Sequence, residues 1–421
     1  MTESGKKRFS LKDLSLFRLG AFIWLIGTLL GYYFYRTGGK EFYKEGYSLP
    51  LMLPMGIDFN AVYSYGIALR ESISAYLNAS SIYPPFVTVA LLPLTLFPPA
   101  AAYHIYVVFL TIALFCMIYA CLAENESLSA VDLVFQALVI TLFLSFSYPV
   151  NFALERGNSD LLAGAFAALS LFAMTRGWFF FSIITLTAGT QFKIYPVILC
   201  ALLFKRFGYR SIIWFLAANA AAFLILGVPA FLQFAASLSA LAGVPSLWEG
   251  NHSLYAYVAR LEKEGFIPAG NLGPARNFSY LIFFGMFCFA WLKSWLTDKE
   301  RSLTMGGGPR YFSGSEIGLI GMGFCLMSLI PSVSYDYKLA IQVVPFLILL
   351  ARSESQLFDS AVRARVVAAL AAALMALTLL PRNLVARVKT PWLILLFLLY
   401  FYLALSGKAV CPDKSAGKNG G

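Results

Sequence analysis

Residues 101–122 read AAYHIYVVFLTIALFCMIYACL, a run without one Asp, Glu, Lys or Arg. As a helix it rises far enough to cross the roughly 30 Å of hydrocarbon in a bilayer. Apolar runs of the same kind recur at 19–35, 84–97, 131–149, 161–174, 178–204, 211–231, 278–295, 315–331, 339–351, 366–381 and 391–406. They predict an all-α fold: a polytopic transmembrane helical bundle of about ten to twelve spans. Composition agrees, with 59% hydrophobic and only 13% charged residues in 421, and a mean hydropathy of +0.73. A soluble chain carries about 25% charge. Soluble enzyme, nucleic-acid-binding domain and disordered scaffold are thereby excluded as readings of the whole chain.

The net charge of +11 does not form a patch for nucleic acid. It is dispersed in short clusters between apolar runs: Lys6-Lys7-Arg8, Lys205-Arg206, Arg363 with Arg365, Lys414 with Lys418. Laid across the predicted spans, Lys and Arg are roughly twofold denser on one side, which places the N-terminus in the cytoplasm. Arg382, Arg387 and Lys389 break that rule, falling outside. Residues 1–406 are expected to form one transmembrane domain with long outer loops at 36–83 and 232–277, followed by a disordered cytoplasmic tail at 407–421. The protein is expected in the plasma (inner) membrane if bacterial. The first apolar run ends in Tyr32-Tyr33-Phe34-Tyr35-Arg36 rather than in small residues, so it reads as an anchor. Cys116, Cys121, Cys200, Cys288 and Cys325 lie in apolar runs, without CxxC spacing. No internal repeat of the kind common in secondary transporters is visible.

In so uncharged a chain, each charge near a helix end carries information. Asp58 follows a Pro/Gly turn and precedes an amphipathic stretch, with Val62, Tyr65, Leu69, Ile73 and Tyr76 at helical spacing. It reads either as a helix cap or as a carboxylate at the membrane surface. The run Glu155-Arg156-Gly157-Asn158-Ser159-Asp160 opens the span at 161. It is either a solvated loop capped by Asn158 or Asp160, or an anion site in which Arg156 grips a phosphate. Lys193, followed by Ile194-Tyr195-Pro196, lies inside an apolar run, where a lysine is costly unless it meets an anion. Asp336, Tyr337 and Lys338 lie between two spans; the two charges either pair with each other or bind sugar hydroxyls beside the tyrosines. Trp248, Glu249 and His252 stand in the second long loop, a lone histidine there being more often incidental than catalytic. Walker, GxGxxG, HExxH and GxSxG motifs are missing.

The run Ser81-Ile82-Tyr83-Pro84-Pro85-Phe86, continuing to Leu92-Pro93-Leu94-Thr95-Leu96-Phe97-Pro98, resembles the Tyr-Pro-Pro segment of bacterial polyprenol-phosphate-mannose-dependent mannosyltransferases. These are multispanning enzymes of the GT-C type. Residues 155–160, with Lys193-Ile194-Tyr195-Pro196, are also similar to segments of the first mannosyltransferase of GPI-anchor synthesis. Pro331 to Tyr337 is similar to a bacterial-family segment that often carries a histidine, which this chain lacks. The resemblance covers about residues 54 to 350. It implies that Asp58, in the first outer loop, is essential. The single carboxylate here, where the families often have a pair, gives an obligatory divalent cation little to bind, and no cofactor is firmly implied.

The resemblance therefore implies an inverting transferase, moving a hexose, mannose foremost, from a polyprenyl-phosphate donor to a lipid or glycan acceptor at the outer face of the membrane. Asp58 would be the base. Glu155, Arg156, Asn158, Lys193, Tyr195, His252, Asp336, Tyr337 and Lys338 would bind substrate, and no metal ligand is assigned. The rival is a transporter or flippase for a lipid-linked sugar, using the same charges without chemistry. One conflict stands. The span count puts residues 155–160 in the cytoplasm, opposite Asp58, so either 84–97 or 131–149 does not fully cross, or the motif is structural.

Overall fold

The computed structural model describes residues 56–125, 128–242, 246–248, 250–302, 311–352, 361–380 and 382–406. The expected span at 19–35 and the tail at 407–421 lie outside them. The first long loop becomes helical at α1 (Ile57–Glu71) and α2 (Ile73–Asn78), broken at Ser72, whose hydroxyl accepts the Ala75 N–H. This is the amphipathic stretch read from the sequence, with Val62 and Tyr76 buried and Ile73 exposed. The run 84–97 forms α3 (Pro85–Leu91) and a 3-10 turn (Leu92–Leu96). Tyr63 donates to the Phe97 carbonyl (2.9 Å) and Arg70 to the Thr95 carbonyl (2.6 Å). The segment thus folds back on α1 at the end of the bundle where it began, and is not a crossing.

From Pro99 the chain passes back and forth between two ends. Helix α4 (Pro99–Leu122) leaves the Asp58 end, and α5 (Ala130–Ser145) returns to α6 (Tyr148–Arg156), bent from it by 78°. Helix α7 (Asp160–Thr175) descends until Thr175 donates to Glu124 just past α4, and α8 (Phe179–Phe192) climbs back. At Lys193 the backbone turns extended, Pro196 withholds an N–H, and the chain reverses through a 3-10 turn (Tyr195–Leu199) into α9 (Cys200–Phe207). The apolar run 178–204 is therefore two passes, and Lys193 stands at the hairpin between them rather than within a span.

Helix α10 (Tyr209–Phe223) rises to α11 (Val228–Ala242), bent by 96°, and α12 (Leu254–Lys263) follows at the same end. Helix α13 (Leu272–Ser302) descends and α14 (Gly314–Leu329) ascends. Arg206 at the far end forks onto Glu316 with Nη2–Oε2 at 2.8 Å. A 3-10 turn (Asp336–Gln342), α15 (Val343–Arg352), α16 (Ala361–Leu379) and α17 (Arg382–Ser406) complete the chain. Helices α14 and α17 touch through backbone: a Cβ on Gly318 would lie 2.3 Å from the Ala404 nitrogen, and one on Gly321 2.1 Å from the Tyr400 ring. Small residues permit this approach where lipid supplies no hydrophobic drive.

The chain is an all-α polytopic helical protein, and no strand occurs among the described residues. Among the described residues three helices, Pro99–Leu122, Leu272–Thr297 and Val388–Ser406, are each long and apolar enough to cross a membrane; the two bent pairs raise that number to five at most. The sequence expectation of ten to twelve also counts shorter apolar runs, and one of its spans, 19–35, lies outside the described residues. Helices such as α7, α8 and α14 still run between the two ends with 14–16 residues each.

Candidate active site

Two left-handed glycines bring the site together. Gly56 (φ +74°) starts α1 against the Tyr103 ring, which a Cβ would approach to 2.6 Å. Gly157 (φ +61°) ends α6 against Phe59, again 2.6 Å from a Cβ. Any other residue at either turn would be both strained and in collision. The Gly56 N–H donates to the Glu155 carbonyl (2.9 Å), and the Tyr103 hydroxyl to the same carbonyl (3.0 Å). These bonds hold the start of α1 against the end of α6.

Asp58 and Arg156 consequently meet. Arg156 grips the carboxylate with both arms of its fork, Nη2 to Oδ1 at 2.7 Å and Nε to Oδ2 at 3.0 Å. Asn158 donates a third bond to Oδ2 (2.6 Å). The pair is mostly enclosed, with side chains 18% and 14% exposed for Arg156 and Asp58. Phe152 and Tyr337 pack around the guanidinium at 5.6 and 5.9 Å. The sequence offered Arg156 to a phosphate; here it holds Asp58. Glu155, Asn158, Ser159 and Asp160 are buried, so the run is not a solvated loop. Neither is Asp160 the cap: Asn158 Oδ1 accepts its N–H (2.8 Å), and its side chain takes the Tyr195 hydroxyl.

Two lysines lie over tyrosine rings at this end of the bundle. The Lys193 ammonium lies 4.8 Å over the Tyr83 ring, and that of Lys338 lies 4.8 Å over the Tyr195 ring while donating to the Val333 carbonyl (3.1 Å). Among the described residues neither lysine has a carboxylate at ion-pair distance. Burial first, then the charge of Lys193, lowers Lys338 to about 8 despite Asp160. Burial, with the carboxylates of Asp58 and Asp160, pushes the Tyr337 phenol well above its ordinary value. Both carboxylates thus act on one locus.

Asp336 does not pair with Lys338. It accepts from Lys389 (2.6 Å) and bonds His252 Nε2 (2.8 Å), all three being fully buried. Burial opposes ionisation of Asp336, but Lys389 and His252 outweigh it and hold the carboxyl at about 2. Burial lowers the His252 imidazole, against the opposing pull of Asp336. The histidine is placed by an antiparallel bridge between Asn251 and Tyr335 and by its N–H to the Ser334 carbonyl (2.7 Å). It is a built contact, not an incidental loop residue. Trp248 packs on Tyr335 at 4.8 Å, and Glu249 lies outside the described residues.

Lys389 and Asp160 were not among the site residues expected from sequence. Lys389 had left a signal, as part of the basic cluster that broke the charge rule; its charge is neutralised by Asp336. Among the described residues no three His, Cys, Asp or Glu side chains converge as a metal-holding group.

No curated protein matches the chain. The profile of glycosyltransferase family 87 matches residues 82–306, just over half of it, taking in Arg156, Asp160, Lys193 and His252 but not Asp58 or Asp336. With apolar helices, a buried polar site at one end and this match, the chain belongs to glycosyltransferase family 87.

Proposed function

We propose that this membrane glycosyltransferase moves a hexose, mannose in our reading, from a polyprenyl-phosphate donor to a hydroxyl of a lipid or glycan acceptor, with inversion, at the outer face of the membrane. The observation that carries the reading is the pair of lysines without carboxylate partners, Lys193 and Lys338, beside a carboxylate already oriented by a guanidinium fork. Asp58 is the base. Its Oδ1 takes one bond from Arg156 and keeps acceptor capacity for a substrate O–H. As the acceptor oxygen bonds to C1, its proton passes to Asp58. The C1–O bond to phosphate breaks, and the electron pair leaves with the lipid phosphate. Lys193 and Lys338 meet the charge that builds there, where electrostatic help is greatest. General-base assistance accounts for about 10²–10⁴-fold. One base suffices, since the acceptor itself is the nucleophile, whereas a retaining glycosidase needs two carboxylates. Tyr337 and the aromatic rings beside it form the acceptor side of the site, suited to sugar faces, with the buried His252 and Asp336 supporting them from behind.

The test is purified protein with radiolabelled polyprenyl-phosphate mannose and candidate lipid acceptors. A new glycosidic product, lost in Asp58→Asn and with donor use impaired in Lys193→Met, supports the reading. Movement of label across a vesicle membrane with no new glycosidic bond would replace it with carriage of a lipid-linked sugar.

A further inference from the structure

Asp160 has no part in the mechanism above, yet its position is costly. It is fully buried, its Oδ1 takes the Tyr195 hydroxyl, and its Oδ2 has no hydrogen-bond partner. A buried carboxylate oxygen without a hydrogen-bond partner is costly unless charge near it offsets the burial. The structure offers that balance in one place. Tyr195, which holds Asp160 with its hydroxyl, carries the Lys338 ammonium on its ring. Lys338 is itself buried, and its neighbour Lys193 repels it.

Several elements pack around Lys338. Asp160 comes from α7, and Lys193 and Tyr195 from the reversal between α8 and α9. From α6 come Glu155 and Arg156, the latter forked onto Asp58. In its own turn Tyr337 is neutral, and Asp336 is taken by Lys389 and His252. Among these carboxylates Asp160 is the one whose charge acts on Lys338, opposing burial and Lys193.

We infer that Asp160 is a positioning residue for donor binding: through Tyr195 and its own charge it keeps Lys338 protonated, so that the lysine pair presents two positive charges to the donor's phosphate. The inference rests on the phosphate role proposed above for Lys193 and Lys338. It gives the lysine–carboxylate cluster a division of labour. Asp58 works on the proton of the acceptor, and Asp160 works on the charge state of the phosphate site.

Asp160 acts on Lys338 across Tyr195, so its loss should lower the lysine by about one unit, the small end of the 1–3 units typical of an opposite charge, towards neutral pH. The probe is a polyprenyl monophosphate bound to the full-length protein in detergent, with the dissociation constant measured from pH 6 to 9. Wild type should bind well at pH 6 and 7 and weaken above about pH 8, where Lys338 loses its proton. In Asp160→Asn the same weakening should begin about one unit lower, with near-normal binding at pH 6. Lys338→Met should bind weakly at every pH, with the alkaline limb gone.

The decisive arm is Asp160→Asn with Lys338→Arg. A guanidinium keeps its proton in this range, so the second change should restore binding at pH 7.5 and flatten the profile. An Asp160→Asn protein that loses affinity equally at pH 6 and 8, or is not rescued by Lys338→Arg, overturns the inference. Phosphate binding that behaves as stated in a protein inactive in hexose transfer would sink the transfer reading alone. A wild type that binds no polyprenyl phosphate would sink both.

Discussion

Replacing Arg156 with lysine separates the two roles open to this residue, gripping the donor phosphate or holding Asp58. The substitution keeps a positive charge and removes the fork. In the native site Asp58 is fixed by two guanidinium bonds of 2.7 and 3.0 Å and by one of 2.6 Å from Asn158. A lysine can replace one of the guanidinium bonds as a point charge but cannot bridge both oxygens. One charge-assisted bond is therefore lost in a mostly enclosed setting, at a cost of about 1–2 kcal/mol in stability. The larger effect is on direction. With one anchor fewer the carboxylate swings, and a displacement of about 1 Å at a reacting group costs on the order of 10²-fold.

The expectation for Arg156→Lys is thus kcat down by about 10- to 100-fold, with the donor KM within about threefold of wild type. Steady-state transfer at varied donor, beside a thermal unfolding curve, measures both. If KM for donor rises by as much as kcat falls, Arg156 acts on the phosphate. If neither constant changes, the fork has no part in turnover. Either outcome refutes the reasoning from the Asp58 geometry.

Asp58→Asn should lower turnover by about 10²-fold or more, with donor affinity little changed. It should also cost roughly 1–3 kcal/mol, since the new amide NH₂ would face a guanidinium N–H; near-normal transfer in the folded variant removes Asp58 as base. Lys389→Met strands a buried carboxylate, and should destabilise by about 3–5 kcal/mol, with most of the loss recovered in Lys389→Met with Asp336→Asn. Failure of the double variant to recover, in urea or thermal unfolding, would show the ion pair is not the cause. Asp336 sits below its ordinary value of 3.8, at about 2, so its contribution of roughly 2 kcal/mol is present at neutral pH and lost only as pH falls through that window. An unfolding midpoint that drops between pH 7 and 5 through this group would contradict the assignment. A cysteine introduced at exposed Ser74 should react with an impermeant maleimide in intact cells; reaction only after lysis reverses the orientation.

The all-α bundle was legible because the absence of charge over long runs is itself the membrane signal. The candidate site residues could be singled out for the complementary reason: charges such as Asp58, Arg156, Lys193 and Asp336 stand out in a chain that has few. Their partners were not. Asp58 and Arg156 bond across 98 positions, and no local period reports a contact so distant. Reading Arg156 alone made a phosphate ligand of a residue whose fork was already occupied. Asp336 and Lys338, two residues apart, looked like a pair; the 3-10 turn instead sends one to Lys389 and the other to Tyr195.

The conflict over the side on which residues 155–160 lie follows from what hydropathy measures. A sliding count of apolar residues registers the lack of charge and is blind to the direction of the chain. It therefore counts 84–97 as a crossing, although Tyr63 and Arg70 tie that segment back to the end it left. It counts 178–204 as one crossing, although the chain reverses at Lys193. The first error adds a pass and the second removes one. Between them, every segment from 98 to 193 is assigned to the end opposite its place relative to Asp58, and for the described residues beyond 205 the assignments return to phase with Asp58. That interval contains Glu155 to Asp160, which is why the motif looked opposed to Asp58 while the later loops agreed with it. Both errors carried local marks: prolines at 84, 85, 98 and 99 around the first segment, and a lysine followed by Pro196 in the second. In a membrane chain, a proline-bracketed short run or a lone lysine within an apolar run is thus evidence about chain direction as much as about chemistry.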